Sequence, residues 1–151
     1  MPNFLVDSQV SQGASFANIF SVPATTTPAL FGTLGLNTAD AGPNLHVHFS
    51  ATVTLSSLVS VLVPVTITVV RIINGVSTTI YTATESLPIG GALLTTDVFT
   101  ISGIDVPPAA DFIIYQSFVS IPAGLAVIPN RVGPESLQAV AYSDAPLADE
   151  V

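Results

Sequence analysis

VSVLVPVTITVVRIINGVSTTIYTAT, residues 59–84, carries the strongest short-range structural signal in the chain. Two runs rich in Val, Ile and Thr flank Asn74-Gly75. Both residues of a tight hairpin turn need positive φ, which Asn and Gly reach most easily. With that pair at the tip, Ile73 should face Val76, Val69 should face Ile80, and Ile67 should face Thr82. One face then carries Val65, Ile67, Val69, Ile73, Val76 and Ile80. The other carries Thr66, Thr68, Val70, Ile72, Ser77, Thr79 and Tyr81. A Thr/Ser face can stand in water, but the aliphatic face needs a second sheet over it. The hairpin therefore predicts a β-sandwich.

The same alternation recurs on either side of the hairpin. Leu45–Leu55 sends Leu45, Val47, Phe49, Ala51, Val53 and Leu55 one way, and His46, His48, Ser50, Thr52 and Thr54 the other. Strands are also expected over Ser15–Val22, Ala29–Leu36 (bulged or at an edge), Asp97–Ile104, Asp111–Ile121 and Ser136–Tyr142. Clusters of Gly, Pro, Asn and Asp separate them. Pro64 marks a break or bulge in the first hairpin arm, and 85–96 reads as a loop. No apolar 3.6-residue period is sustained, so no helix is expected. Residues 1–13 form a leader with Phe4, Leu5, Val6 and Val10 as its apolar residues. It reads as a docking peptide for another molecule, a first strand of the same domain, or a frayed end. The tail, 144–151, is acidic.

At 151 residues the chain suits one domain. Charged residues make up only 8% against 49% hydrophobic, where about a quarter charged is usual. Two basic residues, both Arg, stand against ten acidic ones. A net charge of −8 argues against nucleic-acid and anionic-membrane partners. Too few charges exist to coat a monomer, which points to burial against other copies. The uncharged stretch between Asp40 and Arg71 alternates Ser and Thr with β-branched residues, unlike a spanning helix. Met1-Pro2-Asn3-Phe4 lacks the basic start and apolar core of a secretory signal.

The chemistry-bearing residues are few. His46 and His48 share one strand face at a spacing that can ligate zinc, but no third ligand is nominated. They read first as exposed or subunit-contacting residues, then as a pH-sensitive contact. Asp97, Asp105 and Asp111 fit turn residues better than a calcium loop. Cys and Lys are absent, and no nucleophile elbow or phosphate loop is present. No catalytic residue, cofactor or enzymatic activity is expected. Arg71 falls on the aliphatic hairpin face, where it needs a carboxylate partner or an exit at the rim.

Taken together, Val70-Arg71-Ile72-Ile73-Asn74-Gly75, the Val/Thr sheet, and Gly133-Pro134-Glu135-Ser136-Leu137 before the closing strand resemble one family. These are the small tumour-necrosis-factor-like jelly rolls on spore surfaces of Bacillus and its relatives. The resemblance covers residues 14–143. It implies a jelly roll of eight or nine antiparallel strands and a homotrimer on the spore surface, assembled without a signal peptide. The chain has no Gly-X-Y tract and no proline-rich leader. The likeness therefore leans toward the core subunit of endospore appendage fibres, in which an N-terminal connector chains one trimer to the next. Phe4, Leu5, Val6 and Val10 fit that connector. An anchoring protein and a collagen-like tip protein are the further partners implied. A carbohydrate- or receptor-binding jelly roll of a spore, phage or capsid is the alternative, although three Tyr and no Trp offer sugars few stacking platforms.

Overall fold

The computed structural model describes residues 4–58, 62–87 and 94–146, and among these there is no helix. Ten strands form, two of them only two residues long. They are β1 (Phe4–Ala14), β2 (Val22–Pro23), β3 (Ala29–Asn37), β4 (His46–Leu58) and β5 (Val63–Ile73). The chain continues with β6 (Val76–Leu87), β7 (Leu94–Asp105), β8 (Phe112–Ser120), β9 (Asn130–Arg131) and β10 (Glu135–Ser143). The first sheet runs β1-β10-β4-β7, and farther along β4, on the β10 side, Leu55 and Ser56 pair with β9, which pairs in turn with β2. The second sheet runs β3-β8-β5-β6. All pairings are antiparallel. The molecule is an all-β, two-sheet structure consistent with a sandwich.

The core lies between the sheets. Val47, Phe49, Val53, Leu55, Leu137 and Phe99 come from the first sheet, and Leu36, Val65, Val69, Ile113 and Tyr115 from the second; all are buried. Ala51, Ala139 and Ala141 keep the first sheet low under these larger groups. Each large aliphatic side chain so buried stabilises the fold by about 1.5–3 kcal/mol. The inward sets expected for the strands at β4 and β10 are the buried ones.

The Asn-Gly hairpin forms as predicted, with φ of 50° at Asn74 and 77° at Gly75. Ile73 pairs with Val76, but the expected register fails farther out. Val70 pairs with Thr79 while Val69 pairs with Tyr81, so Ile80 is an extra residue. This β-bulge shifts every later partner by one. Ile67 faces Ala83 instead of Thr82, and Tyr81 turns inward, edge-on to Phe49 at 5.7 Å between ring centres. Pro64 does not break β5. It pairs only across to Ser86, beyond Thr66, the last β5 residue paired with β8.

Three other expectations change. Ser15–Val22 is not a strand: turns occupy it up to Val22, and Asn18 has a φ of 58°. The loop expected over 85–96 is shorter, because β6 continues to Leu87 and β7 begins at Leu94; Pro88, Gly90 and Gly91 lie outside the described residues. Of the leader's three readings, this chain adopts the first strand of the same domain and not a free connector. Its backbone pairs with β10 from Phe4 opposite Ser143 to Ala14 opposite Glu135. At the bulge after Leu5, the Asp7 carboxylate accepts from the Asn37 amide of β3 at 2.8 Å. Thr33 N donates to Ser11 Oγ at 3.1 Å. The boundary at residue 13 thus falls within one strand, because β10 supplies a complete edge and β3 ties the leader down.

Candidate assembly surface

The features bearing on function are where the charges go and what they leave behind. Arg71, on the inward side of β5, donates from NH1 to Asp105 Oδ1 at 2.8 Å and to Oδ2 at 3.0 Å. Tyr115, its cross-strand neighbour on β8, donates to the same carboxylate at 2.8 Å. The cluster spans the sheets, since Asp105 ends β7. Burial drives the Tyr115 phenol far above its ordinary value of 10.0. The hydrogen bond to Asp105 and that carboxylate's charge push the same way, while Arg71 partly offsets them. Arg131 grips Glu135 through two bonds, Nε to Oε1 at 2.7 Å and NH2 to Oε2 at 2.6 Å. Both arginines are therefore spent in largely buried pairs. The sequence showed that Arg71 needed a partner. It did not show which carboxylate, because Asp105 lies 34 residues away.

With the cations inside, the outer face of the first sheet can be followed rung by rung across β1, β10, β4 and β7. Leu5, Tyr142 and His46 form one rung; Ser8, Val140, His48 and Ile104 form the next. Val10, Gln138, Ser50 and Ser102 follow, then Gln12, Ser136, Thr52 and Thr100. None of these residues is Asp, Glu, Lys or Arg. Leu5, Val10 and Ile104 are 56%, 62% and 60% exposed.

The outer face of the second sheet is built the same way. Gly35, Ile114, Ile72 and Ser77 form one rung, Thr33, Gln116, Val70 and Thr79 another, and Leu30, Phe118, Thr68 and Thr82 a third. The Phe112 ring lies over Gly35, where an added Cβ would come within 2.2 Å of it. The acidic residues of both sheets lie off these rungs. Asp7, Asp40, Asp111 and Asp144 sit at the β1 bulge or in turns, and Asp97 and Glu85 pair with the inward-facing Leu55 and Val65.

Four of the site residues proposed from sequence meet on the first face: Leu5, Val10, His46 and His48. Phe4 faces away from it, opposite the buried Ser143, and Val6 at the bulge packs against the core. His46 is half-buried, and its Nδ1 donates to the Asn44 carbonyl at 2.7 Å. His48 is exposed and stands edge-on to Tyr142, 5.4 Å between ring centres. Among the described residues no group of three or more His, Asp or Glu gathers to hold a metal, and no helix is long and apolar enough to cross a membrane. Of the three candidate calcium ligands, Asp105 is committed to Arg71 and Tyr115, and the Asp97 side chain caps the Val98 amide at 3.1 Å.

At the end of the sandwich where β4 finishes, a cavity of about 650 Å³ is lined by Phe20, Ser57, Leu58, Leu94, Ile128 and Asn130 among others. Among the described residues the buried Ser57 hydroxyl has no hydrogen-bond partner. No local pattern marks this cavity, because its walls come from four separate segments. A scan against protein-family models finds no match for this chain, and a search of curated proteins finds none either.

Proposed function

We propose that this chain is a structural, self-assembling subunit. Jelly-roll protomers would pack as homotrimers through charge-free sheet faces, and the trimers would stack head to tail into a spore-surface fibre. One observation carries the reading. A chain of net charge −8 has cleared its outer rungs of ionic groups while leaving Leu5, Val10, Ile104 and Phe112 exposed on them. Like-charged copies approach at least cost where neither presents charge, and contact removes this apolar surface from water. The strand orders β1-β10-β4-β7 and β3-β8-β5-β6 support the jelly roll within the sandwich, since that is the order of two interleaved Greek keys.

The coupling between trimers takes a revised form. Phe4–Ala14 is already paired with β10, so it would link copies by leaving that edge and adding to the same edge of a neighbour. Exchange of an identical element, repeated head to tail, propagates a filament. Sedimentation velocity and negative-stain microscopy of the full chain test the proposal. Trimers and fibres are expected; a 15.5 kDa particle at millimolar concentration would end it.

The cavity beside Ser57 favours a second reading, a binding module for carbohydrate or a receptor. Its lining is mixed polar and apolar, and it has the size of a small-ligand site. Clear hits on a glycan array, lost in Ser57→Leu, would favour that reading.

A further inference from the structure

We infer that His48 makes self-association through the first sheet's outer face acid-sensitive: copies hold together at neutral pH and their contact weakens in acid. The inference rests on the assembly reading above and adds a regulation to it. Its occupant is a second copy of this chain, because the face is free of fixed charge on a molecule whose net charge is −8. A cationic partner would find no carboxylate on these rungs, and an anionic one would find no Arg or Lys.

His48 sits inside that face rather than at its border. Val140 of β10 and Ile104 of β7 flank it directly. The titratable groups that share its side are Tyr142 of β10, 5.4 Å away between ring centres, and His46 on its own strand. Ser50 and Ser102 close the next rung. The neighbouring carboxylate, Asp105, points the other way, into the core, and is taken up by Arg71 and Tyr115. An imidazolium buried in a contact here would meet no counter-ion, and each added copy would bring another. Neutral imidazole suits the contact; the charged form does not.

The sign separates this effect from general electrostatics. Lowering the pH protonates carboxylates and shrinks the net negative charge, so mutual repulsion falls and association should strengthen. Weakening in acid therefore requires a group that becomes charged. The ceiling for one ordinary imidazole forced to stay neutral in a contact is about thirty-fold at pH 5.

The test is sedimentation velocity of the full chain at pH 7.5, 6.0 and 5.0, for wild type, His48→Gln and His46→Gln, with circular dichroism to confirm folding at each pH. Wild type should be associated at pH 7.5 and at least ten-fold weaker at pH 5.0. His48→Gln should associate at both, and His46→Gln should follow wild type. Association of wild type unchanged between the two pH values overturns the inference and leaves the assembly reading standing. Acid dissociation that persists in His48→Gln overturns it also. A wild-type monomer at pH 7.5 overturns the assembly reading itself.

Discussion

Ile104 and Asp105 are consecutive residues of β7, yet they belong to opposite kinds of surface. Asp105 turns inward, buried, and accepts from Arg71 and Tyr115. Ile104 turns outward, 60% exposed, beside His48. The inside of the sandwich holds a charge cluster, and the outside at the same level holds an aliphatic patch. The buried ion loses hydration and is held by its partners, whereas the exposed Ile gains nothing until something covers it. In the assembly proposed above, the outward face would be the one that a second copy covers. The inward cluster works as an inter-sheet clamp, because β5 and β8 meet β7 through it.

Losing the inward cluster should have the largest effect. Asp105→Ala leaves Arg71 without its partner in the interior and removes the acceptor of the Tyr115 hydroxyl. The expected loss is about 3–5 kcal/mol of unfolding free energy, read from urea denaturation. A loss under about 1 kcal/mol would mean that water reaches the cluster and that the clamp is not buried in any energetic sense.

Tyr115→Phe sharpens the same side with a smaller effect. It removes one donor to a carboxylate and should cost about 1.5–3 kcal/mol. The raised phenol also sets a pH dependence. The native state holds this proton more tightly than the unfolded chain, whose tyrosines titrate near 10.0. The resulting stability is present in full below that value and drains away as the pH climbs above it. In a phenolate titration followed by ultraviolet absorbance, Tyr115 should ionise only as the chain unfolds. The Phe variant should lose that late step; a Tyr115 that titrates with the fold intact would contradict the burial.

Legibility in the sequence followed how local each cause is. Asn74-Gly75 announced the hairpin because two adjacent residues suffice for the turn. The inward faces of β4 and β10 were readable because period 2 is a property of one strand. The bulge at Ile80 was not readable, since nothing in Thr79-Ile80-Tyr81 distinguishes an extra residue from a paired one. Its consequence, the inward turn of Tyr81 onto Phe49, was lost with it. The leader's three readings stayed open for a related reason: its strand depends on β10, more than 120 residues away, and on a carboxylate seated at the edge of β3. Of the candidate surface, Leu5, Val10, His46 and His48 were in view as separate residues. Their convergence with Tyr142, Val140 and Ile104 came only from the register.

The outward side is tested by Ile104→Asp, the substitution with the smallest expected effect on stability. The side chain is already mostly in water, so unfolding free energy should move by no more than about 0.5 kcal/mol. If the face were merely tolerated apolar surface, nothing else would change. If copies meet there, every copy brings a new carboxylate to a contact that has no cation to receive it. Association at pH 7.5 should fall by at least ten-fold in sedimentation velocity, with the circular dichroism spectrum unaltered. The contrast with Asp105→Ala then becomes quantitative. One residue along the same strand should trade a large loss of folding for a large loss of assembly. A variant that associates as well as wild type would place the contact elsewhere, and the second sheet's outer face, around Phe112 and Phe118, would be the surface left to carry it.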